Sequence, residues 1–266
     1  MSKINAVRLI NVNYNNNAYR ISDETLHFNG KSTLISLQNG GGKSVLVQML
    51  TAPFVHPKYR NTKDRLFESY FTTNKPSFIL VEWALDQGAG YVLTGLMVRK
   101  SQDMEEDRKE NLDIIGIVSE YQSPCIQDIH HLPVVEKGKK EMILKNFNSC
   151  RQLFETYKKD RDMKFFYYDL TNYAQSRQYF NKLMEYQINY KEWETIIKKI
   201  NLKESGLSDL FADCKDEKGL TEKWFLEAIE SKLNKDKNRI KEFQSILEKY
   251  AGAEKALEVK KGMLLA

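Results

Sequence analysis

The turn Leu37-Gln38-Asn39-Gly40-Gly41-Gly42-Lys43-Ser44 constrains this chain more than any other stretch. It follows an apolar run, Ser32 to Leu37, that reads as a strand. It opens Val45 to Leu50, which reads as a helix ending near Pro53. Glycines permit backbone dihedrals closed to other residues, and Gly40 and Gly41 are expected to take them, so that amide N–H groups turn toward one point. The helix N-terminus adds partial positive charge there. Strand, glycine-rich turn ending in Gly-Lys-Ser, and helix together make a cradle for the phosphates of a nucleoside triphosphate. In such a cradle Lys43 reaches the β- and γ-phosphates, and the Ser44 hydroxyl ligates Mg2+. The usual pattern has glycine where this chain has Leu37, so the loop is expected to turn differently at its start. The bland alternative is a glycine-rich hairpin turn followed by a chance Lys-Ser; three consecutive glycines and the right flanks weigh against it.

With 266 residues and 41% hydrophobic content, the chain can bury a sizeable core as one large domain or two small ones. Its net charge of +5 is modest but uneven. Lys58 to Lys75 carries five basic against two acidic residues, and Lys137 to Lys164 nine against four. Such a surplus can steer a polyanion, although a solvated surface reads the same way. Cys125, Cys150 and Cys214 are odd in number and widely spaced, which fits a reducing compartment and provides no disulfide framework. His27, His56, His130 and His131 lack metal-site spacing and read as ordinary loop residues. No apolar run approaches a membrane span and the N-terminus has no signal-peptide pattern, so a cytoplasmic protein is expected.

Alternation along the chain predicts a first strand over residues 4–12, an Asn-rich turn (Asn13 to Asn17), and a second strand from Tyr19 to Phe28. His56 to Thr73 is basic and aromatic and is expected to be helical around Arg65 to Tyr70. Phe78 to Leu85 is a strong strand, Asp86 to Gly90 its turn, and Tyr91 to Val98 the antiparallel return. Leu112 to Tyr121 extends this meander, and residues 132–147 hold a hairpin with Gly138 at its turn. From Ser149 onward the pattern becomes mostly helical, interrupted by a short strand from Phe165 to Leu170. Beyond Thr221 one long helix is expected. Leu226, Leu233, Ile240 and Leu247 recur every seven residues, with Ile229, Phe243, Tyr250 and Leu257 three residues after such positions. That is a coiled-coil seam broken only by Asp236 and Glu254; an amphipathic helix packed on its own domain is the alternative. The chain ends at Ala266, in or just after this helix, without a capping signal, and reads as unfinished.

A triphosphate cradle needs an acidic partner to hydrolyse its ligand: an apolar strand ending in Asp for Mg2+, often followed by a Glu that polarises water. Only Phe165-Phe166-Tyr167-Tyr168-Asp169 has that shape, and Leu170 follows it. Val81-Glu82 sits inside a hairpin strand and is a weaker candidate. The nearest approach to a Leu-Ser-Gly-Gly signature is Glu204-Ser205-Gly206-Leu207-Ser208.

This order of elements resembles the N-terminal half of an SMC-type ATPase head. Gln38-Asn39-Gly40-Gly41-Gly42-Lys43-Ser44 is similar to the family's Asn-Gly-x-Gly-Lys-Ser loop, with Leu37 departing from its first glycine. Ile4 to Asn13 resembles the opening strand, Phe78 to Val98 the strands after the loop, and Tyr14 and Tyr19 stand where the family contacts adenine and ribose. The variant loop, a long insertion between about residues 100 and 215, and Trp193 to Phe211 resemble the divergent bacterial branch of MukB and of JetC, the motor of Wadjet plasmid defence.

The resemblance implies an α/β, ABC/SMC-type P-loop head lobe with an antiparallel β meander, a helical insertion and the start of a coiled-coil arm. The lobe would span residues 1–219 and the root of the arm 220–266. The resemblance also implies nucleotide contacts from Gln38, Asn39, Gly40, Gly41, Gly42, Lys43, Ser44 and Val45, with ATP and Mg2+ as cofactors and Ser44 as the metal ligand. The magnesium Asp, catalytic Glu and signature would lie in a C-terminal lobe beyond the coiled coil. ATP hydrolysis would then need that lobe and a second head in a homodimer. Implied partners are double-stranded DNA and kleisin-like or nuclease accessory subunits, in chromosome organisation or defence. Lys58, Arg60, Lys63 and Arg65 are candidate DNA-phosphate contacts. Two other readings stay open: a self-contained P-loop kinase or nucleotidase with Asp169 as its magnesium ligand in a parallel sheet, and a non-hydrolysing nucleotide-binding scaffold.

Overall fold

The computed structural model describes residues 2–14, 18–38, 41–61, 65–101, 111–137 and 142–200. They belong to one unit, Met1–Leu202; the second unit, Lys203–Ala266, into which the expected heptad helix falls, lies outside the described residues.

The long apolar runs become a six-stranded sheet. Its strands are β1 (Lys3–Tyr14), β2 (Tyr19–His27), β3 (Ser77–Ala84), β4 (Tyr91–Lys100), β5 (Leu112–Tyr121) and, after an intervening hairpin of β6 (Val135–Lys137) and β7 (Met142–Leu144), β8 (Lys164–Asp169). The order is β2-β1-β3-β4-β5-β8, and every neighbouring pair is antiparallel. The register of β3 on β4, Ser77↔Val98 to Ala84↔Tyr91, is the hairpin read from the sequence. β5 and β8 are integral strands of this sheet, so the stretch after residue 100 is not simply a helical insertion.

Because strand side chains alternate, β3 feeds both faces. Ile79, Val81 and Trp83 join Val7, Leu9, Leu96 and Val98 on one. Phe78 and Leu80 join Ala6, Ile10, Met97 and Ile117 on the other. The first face is covered by α1 (Lys43–Thr51), α3 (Tyr173–Glu185) and α4 (Tyr190–Ile200), through Val45, Met49, Tyr179, Phe180 and Ile197. The second is covered by α2 (Phe147–Lys159) and the loop between Tyr121 and Val135, through Cys150, Phe154, Ile129, Leu132 and Val134. Two covered faces explain why the central strands read as nearly continuous apolar runs.

One expectation is corrected. Ser32 to Leu37 forms no strand: residues 32–38 lack regular structure and are exposed, Leu34 at 96%. A strand must satisfy its backbone groups on a neighbour, and β2 and β3 already occupy both edges of β1. The helical character expected around Arg65 to Tyr70 takes the form of a 3-10 turn over Phe67–Tyr70, after an earlier one at Pro57–Tyr59. Phe67 and Tyr70 face the core.

Asp128 pins the loop over the second face. Its buried carboxylate accepts hydrogen bonds from the amides of Cys125 (2.9 Å), His130 (2.8 Å) and His131 (2.7 Å) and from His131 Nδ1 (2.8 Å). Burial pushes its pKa up, but the bonds from His131 and the backbone outweigh burial and hold it below the usual carboxylate value. A folded-state pKa below the unfolded one stabilises above the unfolded value, near 4, and that contribution is lost as pH falls through the folded value. Asp128→Asn is therefore expected to destabilise the protein by about 2 kcal/mol at neutral pH. The difference from wild type should shrink below about pH 4, read as thermal midpoints in a pH series. A difference that stays constant down to pH 2 would contradict this account.

Candidate functional site

The glycine-rich turn and the start of α1 form one local structure. The Gly41 amide donates to the Gln38 carbonyl at 2.9 Å, closing a tight turn. A Cβ on Gly41 would stand 2.9 Å from that same oxygen, so only glycine fits. Gly42 has φ +85°, in the left-handed region, and acts as the N-cap of α1. Unlike Ser, Asp or Asn, it offers no side-chain acceptor to the amides of the first turn. The Leu46 amide closes the first helical bond on the Gly42 carbonyl at 2.8 Å. Lys43 and Ser44 are exposed at this end, and Lys43 Nζ donates to the Leu37 carbonyl at 2.7 Å. The lysine is thus held back over the turn, toward the position where the chain departs from the usual glycine.

The body of the helix is anchored. Val45 and Met49 enter the core. Gln48, 3% exposed, donates from Nε2 to the Arg60 carbonyl at 2.6 Å and accepts from the Tyr70 hydroxyl at 2.7 Å. Burial raises the Tyr70 pKa, against the opposing influence of Arg65. Gln48 thereby ties α1 to the loop that follows it. The sequence signal was present: a glutamine on the same helical face as Val45, Met49 and Ala52.

The other wall comes from the end of β1. Asn11 has φ +57° and is fully buried. Asparagine tolerates the left-handed conformation better than most residues. Its Nδ2 donates to the Pro76 carbonyl at 3.1 Å and to Thr73 Oγ1 at 3.1 Å, and its Oδ1 accepts from Arg20 at 2.9 Å. The turn at Asn11 breaks the strand's alternation, so that Val12 returns to the first face and Tyr14 packs against it too. The Tyr14 ring lies 3.7 Å from where a Cβ of Gly42 would be and stacks on Tyr19, with ring centroids 5.2 Å apart and 17° between planes. An aromatic pair therefore borders the glycine turn.

Of the predicted nucleotide contacts, Gln38, Gly41, Gly42, Lys43, Ser44 and Val45 converge on this turn, while Asn39 and Gly40 lie outside the described residues. The Val45 side chain is a core contact, leaving only its backbone for a ligand. Among the proposed DNA contacts, Lys58 and Arg65 are exposed and Lys63 lies outside the described residues. Arg60 is corrected: it is 1% exposed, donates from Nε to the Ala52 carbonyl at 3.1 Å and lies over the Phe67 ring. An arginine buried there holds the loop together and cannot reach a DNA phosphate.

The magnesium candidates are corrected as well. Asp169 ends β8, an antiparallel strand four places from β1, or roughly 19 Å along the sheet at strand spacing. Its carboxylate accepts from the amide and hydroxyl of Thr171, at 3.0 and 2.6 Å, closing a turn. A parallel-sheet kinase built on Asp169 does not fit this topology. Glu82 is buried, accepting from Asn5 Nδ2 at 2.6 Å and from the Tyr121 hydroxyl, whose pKa burial and the neighbouring Glu82 raise. Among the described residues no group of three or more His, Cys, Asp or Glu is placed to hold a metal ion. None of their helices is long and apolar enough to cross a membrane.

No protein-family model matches the chain, and no curated protein matches it in sequence.

Proposed function

We propose that this chain is the ATP-binding lobe of an SMC-like DNA motor, hydrolysing only when a second lobe and a second head complete the site. The observation that carries the reading is the uncapped N-terminus of α1, which follows the tight turn at Gly41 and Gly42 and exposes Lys43 and Ser44. Such an end attracts an anion through its first-turn amides and the helix dipole. Mg-ATP fits this residue set: Lys43 supplies positive charge, the Ser44 hydroxyl one metal ligand, and Tyr14 and Tyr19 a flat apolar border. When bound, the metal ion would neutralise phosphate charge; the chain's own part is to bind and orient.

That no described strand ends in an acid beside the glycine turn supports a divided site. Neither Asp169 nor Glu82 is placed to serve, so the magnesium carboxylate and water-polarising Glu would come from the C-terminal lobe. Residues 32–38 favour the same view, since they expose Leu34, Ile35 and Leu37 and pair with no described strand. The heptad pattern beyond Thr221 would begin the coiled-coil arm leading to that lobe. Lys58 and Arg65 remain candidate contacts to double-stranded DNA, with accessory subunits of kleisin or nuclease type in organisation or defence.

Calorimetric titration with Mg-ATP is expected to show binding by this chain, and a phosphate-release assay no turnover above the buffer blank. Turnover should appear only with the assembled head, whose DNA affinity should fall steeply with salt. Robust turnover by this chain alone would overturn the divided-site reading, and absence of nucleotide binding even in the assembled head would overturn the ATP-binding reading.

A further inference from the structure

We infer that Asn11 is a positioning residue: it switches the parity of β1, aims Tyr14 and Tyr19 at the glycine turn, and so sets how much the base of a nucleoside triphosphate adds to binding. This role rests on the nucleotide reading of that turn. Up to Ile10 the side chains of β1 alternate as a strand requires, Val7 and Leu9 on the first face and Ala6 and Ile10 on the second. Unbroken alternation would send Val12 and Tyr14 to the second face with Ile10, across the sheet from α1. Both pack on the first face instead, as does Ile21 of β2. No residue is inserted to achieve this. The register runs from Ile10↔Asp23 to Val12↔Ile21 and Tyr14↔Tyr19 with the same count on both strands. The switch falls at Asn11, whose φ of +57° turns the chain over within one residue.

The side chain of Asn11 pins the switch from both sides. The β1–β3 register ends at Ile10↔Phe78, and there the Asn11 carbonyl accepts from Ser77 Oγ at 2.6 Å. Nδ2 reaches the Pro76 carbonyl and Thr73 Oγ1 in the segment before β3, while Oδ1 accepts from Arg20 of β2. A β-branched residue would resist the positive φ. Glycine would permit it but could make none of these side-chain bonds. With the switch in place, the Tyr14 ring lies 3.7 Å from where a Cβ of Gly42 would be, and Tyr19, opposite it in the ladder, stacks on it. Tyr19 remains 55% exposed, so the pair offers an open aromatic surface beside the phosphate cradle. Bases stack on such surfaces, and the gain is typically tenfold or more in affinity.

Calorimetric titration of the full chain with Mg-ATP and with Mg-tripolyphosphate, which lacks base and ribose, tests this role. Wild type is expected to bind ATP about tenfold or more tightly than tripolyphosphate. Asn11→Gly, which keeps the positive φ and loses the side-chain bonds, should cut that ratio about fivefold. Thr73→Val removes one acceptor and should cut it less; it decides the matter if Asn11→Gly does not fold. Tyr14→Ala should erase the preference for ATP, and the double variant Asn11→Gly/Tyr14→Ala should lose no more than Tyr14→Ala alone, because both act through one ring. A melting curve checks the fold of each variant. A purely structural role would lower the midpoint and leave the ratio of affinities unchanged. Equal binding of the two ligands by wild type, an unchanged ratio in Asn11→Gly, or additive losses in the double variant would each overturn the inference while leaving the phosphate cradle in place. Binding of neither ligand by wild type would overturn the nucleotide reading of the turn and this role with it.

Discussion

Lys43→Ala is expected to weaken Mg-ATP binding on the order of 100-fold, or about 2.8 kcal/mol at 1.4 kcal/mol per tenfold. Lys43 is the charged side chain of the turn, and charge-assisted bonds to phosphate are the strong ones. Its ammonium group lies at an exposed position, where it donates to the Leu37 carbonyl and can turn toward a ligand. The substitution does not touch the core, so the thermal midpoint without nucleotide should shift little. Titration calorimetry reads the affinity and a melting curve reads the fold. Unchanged affinity in a folded variant would remove Lys43 from the site and favour the bland view of the turn.

Phe54→Ala is expected to cost about 3–5 kcal/mol of folding stability, a large part of the 5–15 kcal/mol typical of a domain. Phe54 is fully buried directly after α1, with its ring centroid 5.2 Å from that of Trp83 on β3 and 4.8 Å from that of Trp193 on α4. It joins three elements, so truncation leaves a cavity that none can fill by itself. Urea unfolding should show a lower midpoint with little change in slope. Phe54→Leu should cost markedly less. A loss below about 1 kcal/mol for the alanine variant would mean that α4 does not pack on Phe54 as described.

The parts legible in the sequence were those governed by neighbours along the chain. Phe78 to Val98 read correctly as a hairpin because alternation and a glycine-containing turn are local signals. Leu112 to Tyr121 coincides with β5, and Phe165 to Asp169 falls within β8, for the same reason. The helix after the glycine turn also ends near Pro53, as proline requires. Ser32 to Leu37 failed, because a strand exists only beside a partner and β2 and β3 already take both edges of β1. Arg60 failed similarly. Its charge predicts exposure, whereas the fold carries it beneath the loop, over the Phe67 ring.

The sequence by itself determined the local chemistry at α1: glycines that permit the turn, then Lys43 and Ser44 where a helix begins. Covalent order and backbone sterics suffice for that. Only the tertiary structure decided that Tyr14 and Tyr19 border the turn, through the left-handed Asn11 and its hydrogen bonds to Thr73 and Pro76. It also decided that Asp169 stands four strands away from β1 and that β2 ends the sheet. Strand order arises from contacts between residues distant in the chain, and no periodicity within a segment encodes which segment it will meet.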